Sequence, residues 1–268
     1  MLTVRLPPCG ANRHGVSVPC QPSAALALLL LVVPPCAAQA ANPDALRQIV
    51  QDICVPAATI SSAPLPCRLV DPSKRYAVLK DLQGATQYLV VPTDTITGIE
   101  SPGILAPNAP NFWEDAWEAR RFIEQNAGRS VPRNFIGLAI NSESGRTQNQ
   151  LHIHVDCIKP AVIRALRLSR EAIGPAWQLL PVKFTGHPYM AMRIDAPDFS
   201  RVNPFQLLAD GVPGAKNDMK DQTLVAVPAT FKNGQDGFYL LTDHVDKARG
   251  DIASGEELLD HSCTLLAQ

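Results

Sequence analysis

Two histidines, His152 and His154, stand two residues apart in the run Ser144-Gly145-Arg146-Thr147-Gln148-Asn149-Gln150-Leu151-His152-Ile153-His154-Val155-Asp156-Cys157. Side chains of a β-strand alternate between its faces, so a strand here puts Gln150, His152, His154 and Asp156 on one face and Leu151, Ile153 and Val155 on the other. Burying such a polar face is costly unless its groups are paired or used. Three roles fit. The first is metal binding, since imidazoles and a carboxylate are good zinc ligands. H-x-H-x-D also opens a metallo-hydrolase motif, but there the next residue would be histidine and here it is Cys157; no H-E-x-x-H or C-x-x-C completes a site. The second is attack of a neutral imidazole on phosphorus. That requires one ring nitrogen with a free lone pair, the other held by an acceptor, and donors for the phosphate oxygens. The loop before the strand offers backbone N–H groups, Arg146, Thr147 and Gln148, and Gly145 permits close approach of the backbone. The third role is structural, a pair of satisfied histidines on a sheet face.

The surrounding pattern predicts the elements that hold this strand. A buried strand over 135–141 pairs with 151–158, and the polar connection between them, longer than a tight turn, suits a loop that wraps a ligand. Upstream, 76–80 and 86–92 form a hairpin around a Gly84-bearing turn, and 112–125 reads as a helix with Phe112, Ala116, Ala119 and Ile123 on one face. Asn42, Pro43 and the apolar spacing after them predict a helix over 42–54, followed by a Pro-rich loop over 54–72. Downstream, a helix begins at Pro160 and carries Arg164, Arg167 and Arg170, a solvated face or a contact for anionic lipid headgroups. Strands follow over 180–184 and 189–194, then a helix over 204–209. A hairpin over 223–241 turns at Asn233-Gly234, and a capping-box helix starts at Ser254. No internal repeat and no linker stand out, so the expected fold class is α+β, one compact unit with an antiparallel sheet and flanking helices.

Composition sets the setting. The 268 residues are 46% hydrophobic with a formal charge of -1, which argues against a nucleic-acid partner. Arg5 and Arg13, an apolar run over 24–33 and Ala38-Gln39-Ala40 predict a secretory signal peptide over 1–40, cut before Ala41, with an uncleaved anchor as the rival. The leader holds two basic and no acidic residues, so the mature unit, 41–268, carries 22 basic against 25 acidic side chains. It retains Cys54, Cys67, Cys157 and Cys263, an even number that reads as two disulfides in an exported protein. Three connectivities are possible; Cys54 with Cys67 and Cys157 with Cys263 is favoured.

A strand ending in Asn141, the loop Gly145-Arg146-Thr147-Gln148, and His-x-His on the paired strand together resemble the histidine triad superfamily, with its His-φ-His-φ-His-φ-φ motif. In the register His152-Ile153-His154-Val155-Asp156-Cys157-Ile158, the resemblance makes His154 the nucleophile and His152 its neighbour, with Asp156 in place of the third histidine. An ionised aspartate cannot donate to a phosphate. The alternative register, Gln150 first and His152 in the middle, puts Asp156 at an apolar position and ranks second. More specifically, Tyr76-Ala77-Val78-Leu79-Lys80-Asp81, Glu100-Ser101-Pro102, Pro110-Asn111-Phe112, Gly145-Arg146-Thr147-Gln148-Asn149 and Gly186-His187-Pro188-Tyr189 resemble the bacterial CDP-diacylglycerol pyrophosphatases. That resemblance implies an exported, periplasmic enzyme at the inner membrane, with CDP-diacylglycerol as substrate and no cofactor. It implies substrate contacts from Asn141, Gly145, Arg146, Thr147, Gln148, Gln150 and His187. A metal-dependent phosphoesterase and a non-catalytic nucleotide- or lipid-binding module are the other readings.

Overall fold

The computed structural model of the chain describes residues 42–267. The expected leader and its cleavage site lie outside the described residues. The chain begins with a helical segment in three parts, α1 (Ala45–Gln48), a π-helical stretch (Ile49–Cys54) and α2 (Val55–Ala58), so the helix runs four residues past Cys54. The segment 54–72 is not loop throughout: β1 (Cys67–Asp71) pairs with β2 (Tyr76–Lys80), and β2 with β3 (Tyr88–Pro92). The helix expected over 112–125 breaks at Arg120 into α3 (Phe112–Ala119) and α4 (Arg121–Ala127), which Gly128 ends with a left-handed φ of 65°.

Then come β4 (Ile136–Ile140), β5 (Ile153–Cys157), α5 (Pro160–Ser169), β6 (Gln178–Phe184), β7 (His187–Ile194), α6 (Pro204–Gly211), β8 (Leu224–Thr230) and β9 (Asp236–Thr242). The capping-box helix is one 3-10 turn, Gly255–Leu258, and the Ser254 hydroxyl donates to Asn141 instead of capping it. Among the described residues no helix is long and apolar enough to cross a membrane.

Among the described residues all nine strands form one antiparallel sheet in the order β1-β2-β3-β5-β4-β8-β9-β7-β6. That order contains a repeat of connectivity. Outward from the β4–β8 junction the strands run β4-β5-β3-β2 on one side and β8-β9-β7-β6 on the other, and each side is built as hairpin, helix, hairpin. The repeat lives in connectivity, with no matching spacing of residues to announce it.

One face of the sheet is covered by a large apolar core that includes Trp113, Phe199, Phe205 and Phe238, with the Trp113 ring edge-on to Phe205 at 5.5 Å. Trp113 and Trp117 are buried here as core residues. The opposite face carries two apolar clusters. Leu79, Leu89 and Val91 pack with Leu46 and Val50, while Ala139, Val225 and Leu241 pack with Val162 and Leu166 of α5. In the register of the strands, His154 stands between Leu89 and Ala139, in the gap between these clusters.

The C-terminal segment closes over that gap. Its disulfide joins Cys157 of β5 to Cys263, the Asp260 N–H donates to the Cys157 carbonyl at 2.7 Å, and Cys54 pairs with Cys67, as favoured from sequence. The Cys157–Cys263 bridge spans 106 residues against 13 for Cys54–Cys67. In the chain-entropy picture this favours the longer link by a further 1–2 kcal/mol, about 4.7 against about 3 kcal/mol. Replacing Cys263 with Ala should therefore lower unfolding free energy by about 2–5 kcal/mol in urea titrations, more than Cys67→Ala; equal losses would contradict this account.

Candidate functional site

The strand pair β4–β5 and the residues just before β5 place the two imidazoles. Gln150 is fully buried, and its amide donates to the carbonyls of Pro92 at 3.0 Å and Asp94 at 2.8 Å, which fixes the backbone ahead of the strand. His152 Nδ1 lies 2.7 Å from the Gln150 carbonyl. A carbonyl only accepts, so Nδ1 carries the hydrogen and Nε2 keeps a lone pair. His154 is held differently. Its Nδ1 lies 3.1 Å from the amide nitrogen of Gln87, which also reaches Asp81 at 2.6 Å and Glu256 at 3.0 Å. Two carboxylates fix that amide nitrogen as a donor, but its two hydrogens cannot serve three acceptors at once, and Glu256 itself lies 3.4 Å from His154 Nδ1. His154 Nε2 is buried with no hydrogen-bond partner. The rings are 4.9 Å apart, nearly edge to face. Burial lowers the pKa of both, and for His154 burial and the neighbouring His152 bring it down to about 4.

A third imidazole comes from the far end of the chain. Asp156 is fully buried, accepts from Thr86 Oγ1 at 2.5 Å and from the Cys157 N–H at 2.8 Å, and its second oxygen lies 2.8 Å from His261 Nδ1. The hydrogen bond to Asp156 raises the His261 pKa above the ordinary histidine value. Its Nε2 lies 3.5 Å from Glu256, which also approaches His154 Nδ1 at 3.4 Å. Asp156 thus holds a third imidazole beside the strand, and Cys263 ties the same segment to it. A cleft of about 450 Å³ opens beside Glu256 and His261.

The other residues named from sequence divide. Asn141 is at the site through Glu256: its carbonyl oxygen accepts from the Glu256 N–H at 3.1 Å and its amide donates to the carboxylate at 3.4 Å. Arg146 does not present its charge to a ligand, because its buried guanidinium forms two 2.7 Å bonds to Glu100. Gln148 accepts from the Leu46 N–H and donates to the Asn42 carbonyl, so it fastens α1 instead of lining the site. At Gly145 a Cβ would come within 3.1 Å of the Ile252 carbonyl; the close approach there is to the C-terminal segment. Thr147 is exposed. His187 lies in a separate cluster with Asp251 and Glu257. Sequence reasoning missed Asp81, Gln87, Glu256 and His261. Asp81 and Gln87 flank the β2–β3 turn, and the polar residues of that turn were the only available signal.

Asp81, His154 and Glu256 offer ligand atoms close enough together for a metal ion. In this arrangement all three converge on the Gln87 amide nitrogen, which takes the position a cation would need.

The CDP-diacylglycerol pyrophosphatase family profile matches residues 41–267. A protein of Yersinia pestis named CDP-diacylglycerol pyrophosphatase is 44% identical over 225 residues, which cover 84% of this chain and 86% of that protein.

The site predicts opposite titrations for two of its imidazoles. A histidine raised by a partner contributes stability that is complete below the unfolded value of 6.5 and is lost as pH rises through its native value; this is His261. For His154, lowered to about 4, the contribution is present above 6.5 and is lost as pH falls through about 4. NMR titration of the imidazole C–H signals should show His261 above 6.5 and His154 far below it. Asp156→Asn should bring the His261 midpoint down, and an unmoved midpoint would contradict the pairing.

Proposed function

We propose that this chain, which belongs to the CDP-diacylglycerol pyrophosphatase family, hydrolyses the pyrophosphate bond of CDP-diacylglycerol to CMP and phosphatidate through a cytidylyl-histidine. The observation that carries the mechanism is the contrast between the two imidazoles. His152 has its Nδ1–H engaged by the Gln150 carbonyl and its Nε2 lone pair free, the arrangement a nucleophile needs. His154 Nε2 is buried without a partner, and in its Nε2–H tautomer this ring is a donor to a phosphate oxygen.

Sequence order ranked His154 as the attacking residue; the hydrogen bonds favour exchanging the roles. In this reading Nε2 of His152 forms a bond to the phosphorus bearing cytidine. The bond from that phosphorus to the bridging oxygen breaks, and phosphatidate departs with the electron pair. A phosphate monoester leaves readily, so the step depends more on stabilising charge than on protonation. Water then cleaves the P–N bond, releasing CMP and returning a neutral His152.

The polar strand with its flanking loop is read as a histidine-triad-like centre, with His261 standing in space where the motif has Asp156. His261 supplies the positive charge that Arg146 cannot, its other nitrogen being held by Asp156. This weakens the case for a binding module without turnover, which rested on the missing third histidine. Membrane contact and an exported setting belong to the same proposal. The disulfides favour an oxidising compartment, and the outer side of α5 exposes Arg164, Arg167 and Leu168 to a lipid surface.

Purified protein given CDP-diacylglycerol in detergent should release CMP. His152→Ala should abolish release, while His154→Ala and His261→Ala should each slow it by about 10²–10³-fold, the usual effect of losing a charge-stabilising donor. A rapid quench without acid should trap cytidylate on the peptide containing both histidines, with fragmentation locating it on His152. An adduct on His154 would restore the sequence ranking, and no CMP from the wild-type protein would end the enzymatic reading.

A further inference from the structure

The second half of the sheet has a polar cluster of its own, which the proposed reaction does not use. His187 opens β7 after the Thr185-Gly186 turn, Asp243 follows β9, and Asp251 and Glu257 lie on the C-terminal segment. Measured from His187 Nδ1, the nearest carboxylate oxygens are 3.2 Å (Glu257), 3.4 Å (Asp251) and 3.9 Å (Asp243). One imidazole nitrogen offers at most one hydrogen to these three carboxylates. Among the described residues no lysine or arginine is paired with any of the three side chains.

Asp243 is the independent sign of a ligand. It is 5% exposed, its Oδ2 points toward His187, and no donor reaches that buried oxygen while the group is ionised, its neighbour there being the Asp251 carboxylate. A buried carboxylate oxygen without a donor costs several kcal/mol if the group stays ionised, roughly the penalty of an unpaired charge. Each carboxylate is also oriented by an outer group: Asp243 accepts from the His244 N–H at 2.8 Å, Asp251 from the Ala253 N–H at 2.9 Å, and Glu257 from the Tyr189 hydroxyl at 2.8 Å. Ligands of metal ions are positioned by outer hydrogen bonds of this kind. Separations from the imidazole nitrogen fit as well, and ligand atoms of His187, Asp243 and Glu257 all lie within 4.8 Å of one another. Around an ion with bonds of roughly 2.1 Å, neighbouring donors lie roughly 3.0–3.5 Å apart and opposite donors about 4.2 Å.

We infer that His187, Asp243, Asp251 and Glu257 form a binding site for one divalent cation, such as Mn²⁺ or Zn²⁺. Three hard oxygens and one imidazole suit such ions. Bound there, the ion joins β7 and the end of β9 to the C-terminal segment at Glu257, the neighbour of Glu256 in the histidine centre. A cavity of about 640 Å³ lined by His187, Asp243 and Asp251 gives the ion access and room for coordinated water. The site is separate from Asp81, His154 and Glu256 and does not depend on which reaction the histidines perform.

The test is binding, read without activity. Chelator-treated full-length mature protein titrated with Mn²⁺ should bind one ion per chain, seen as loss of the free Mn²⁺ signal in electron paramagnetic resonance, and its Tm should rise with Mn²⁺ concentration. Asp243→Asn and Glu257→Gln should each weaken binding at least tenfold. His187→Gln should remove the nitrogen coupling from the pulsed spectrum of the bound ion. Asp81→Asn, and Asp218→Asn in the surface cluster with His244, should leave affinity unchanged. Affinity that survives the Asp243→Asn/Glu257→Gln double variant would overturn the assignment, as would no binding of Mn²⁺ or Zn²⁺ at about 1 mM by the wild-type protein.

Discussion

The buried carboxylate of Asp156 is the constraint on which the site depends. It has no exposure to water, so both of its oxygens must find donors, and these come from Thr86, the backbone at Cys157 and His261. Satisfying it draws the C-terminal segment back to the strand. Once there, that segment brings Glu256 to the Gln87 amide and His261 beside the strand, and Cys263 makes the return covalent. Without this, the gap between the two apolar clusters would expose a strand face with two histidines and no means of setting their tautomers.

Gln87 is the other fixed point. An amide cannot change charge, yet it sits among two carboxylates and an imidazole and gathers all three around one nitrogen. The centre thus gives two chemically identical side chains different surroundings. His152 Nδ1 faces a carbonyl, while His154 Nδ1 faces the Gln87 amide nitrogen and Glu256.

What the sequence disclosed followed the range of the interactions involved. Alternation along 151–158 and the Asn233-Gly234 turn are local, and both sheet halves were readable from such signals. The pairing of the four cysteines was readable because one pair closes a short loop. β1 was hidden by the prolines around it; its strand character comes from pairing with β2 and from Cys67. At the site, local pattern misled. Arg146 looks like a phosphate donor until Glu100, 46 residues earlier, is seen to occupy it, and Gln148 serves a helix 102 residues away. Asp156 and His261 are 105 residues apart, and nothing near either one names the other.

The repeated strand order has a consequence for how specialisation could arise. Two identical subunits meeting across such a junction would be bound by symmetry to carry the same side chains twice, so any residue serving one centre would be imposed on the other. With both halves in a single polypeptide that obligation disappears. One half can keep imidazoles aligned on a strand while its counterpart accumulates carboxylates around a lone histidine, and the shared sheet keeps the two divergent centres in one rigid frame.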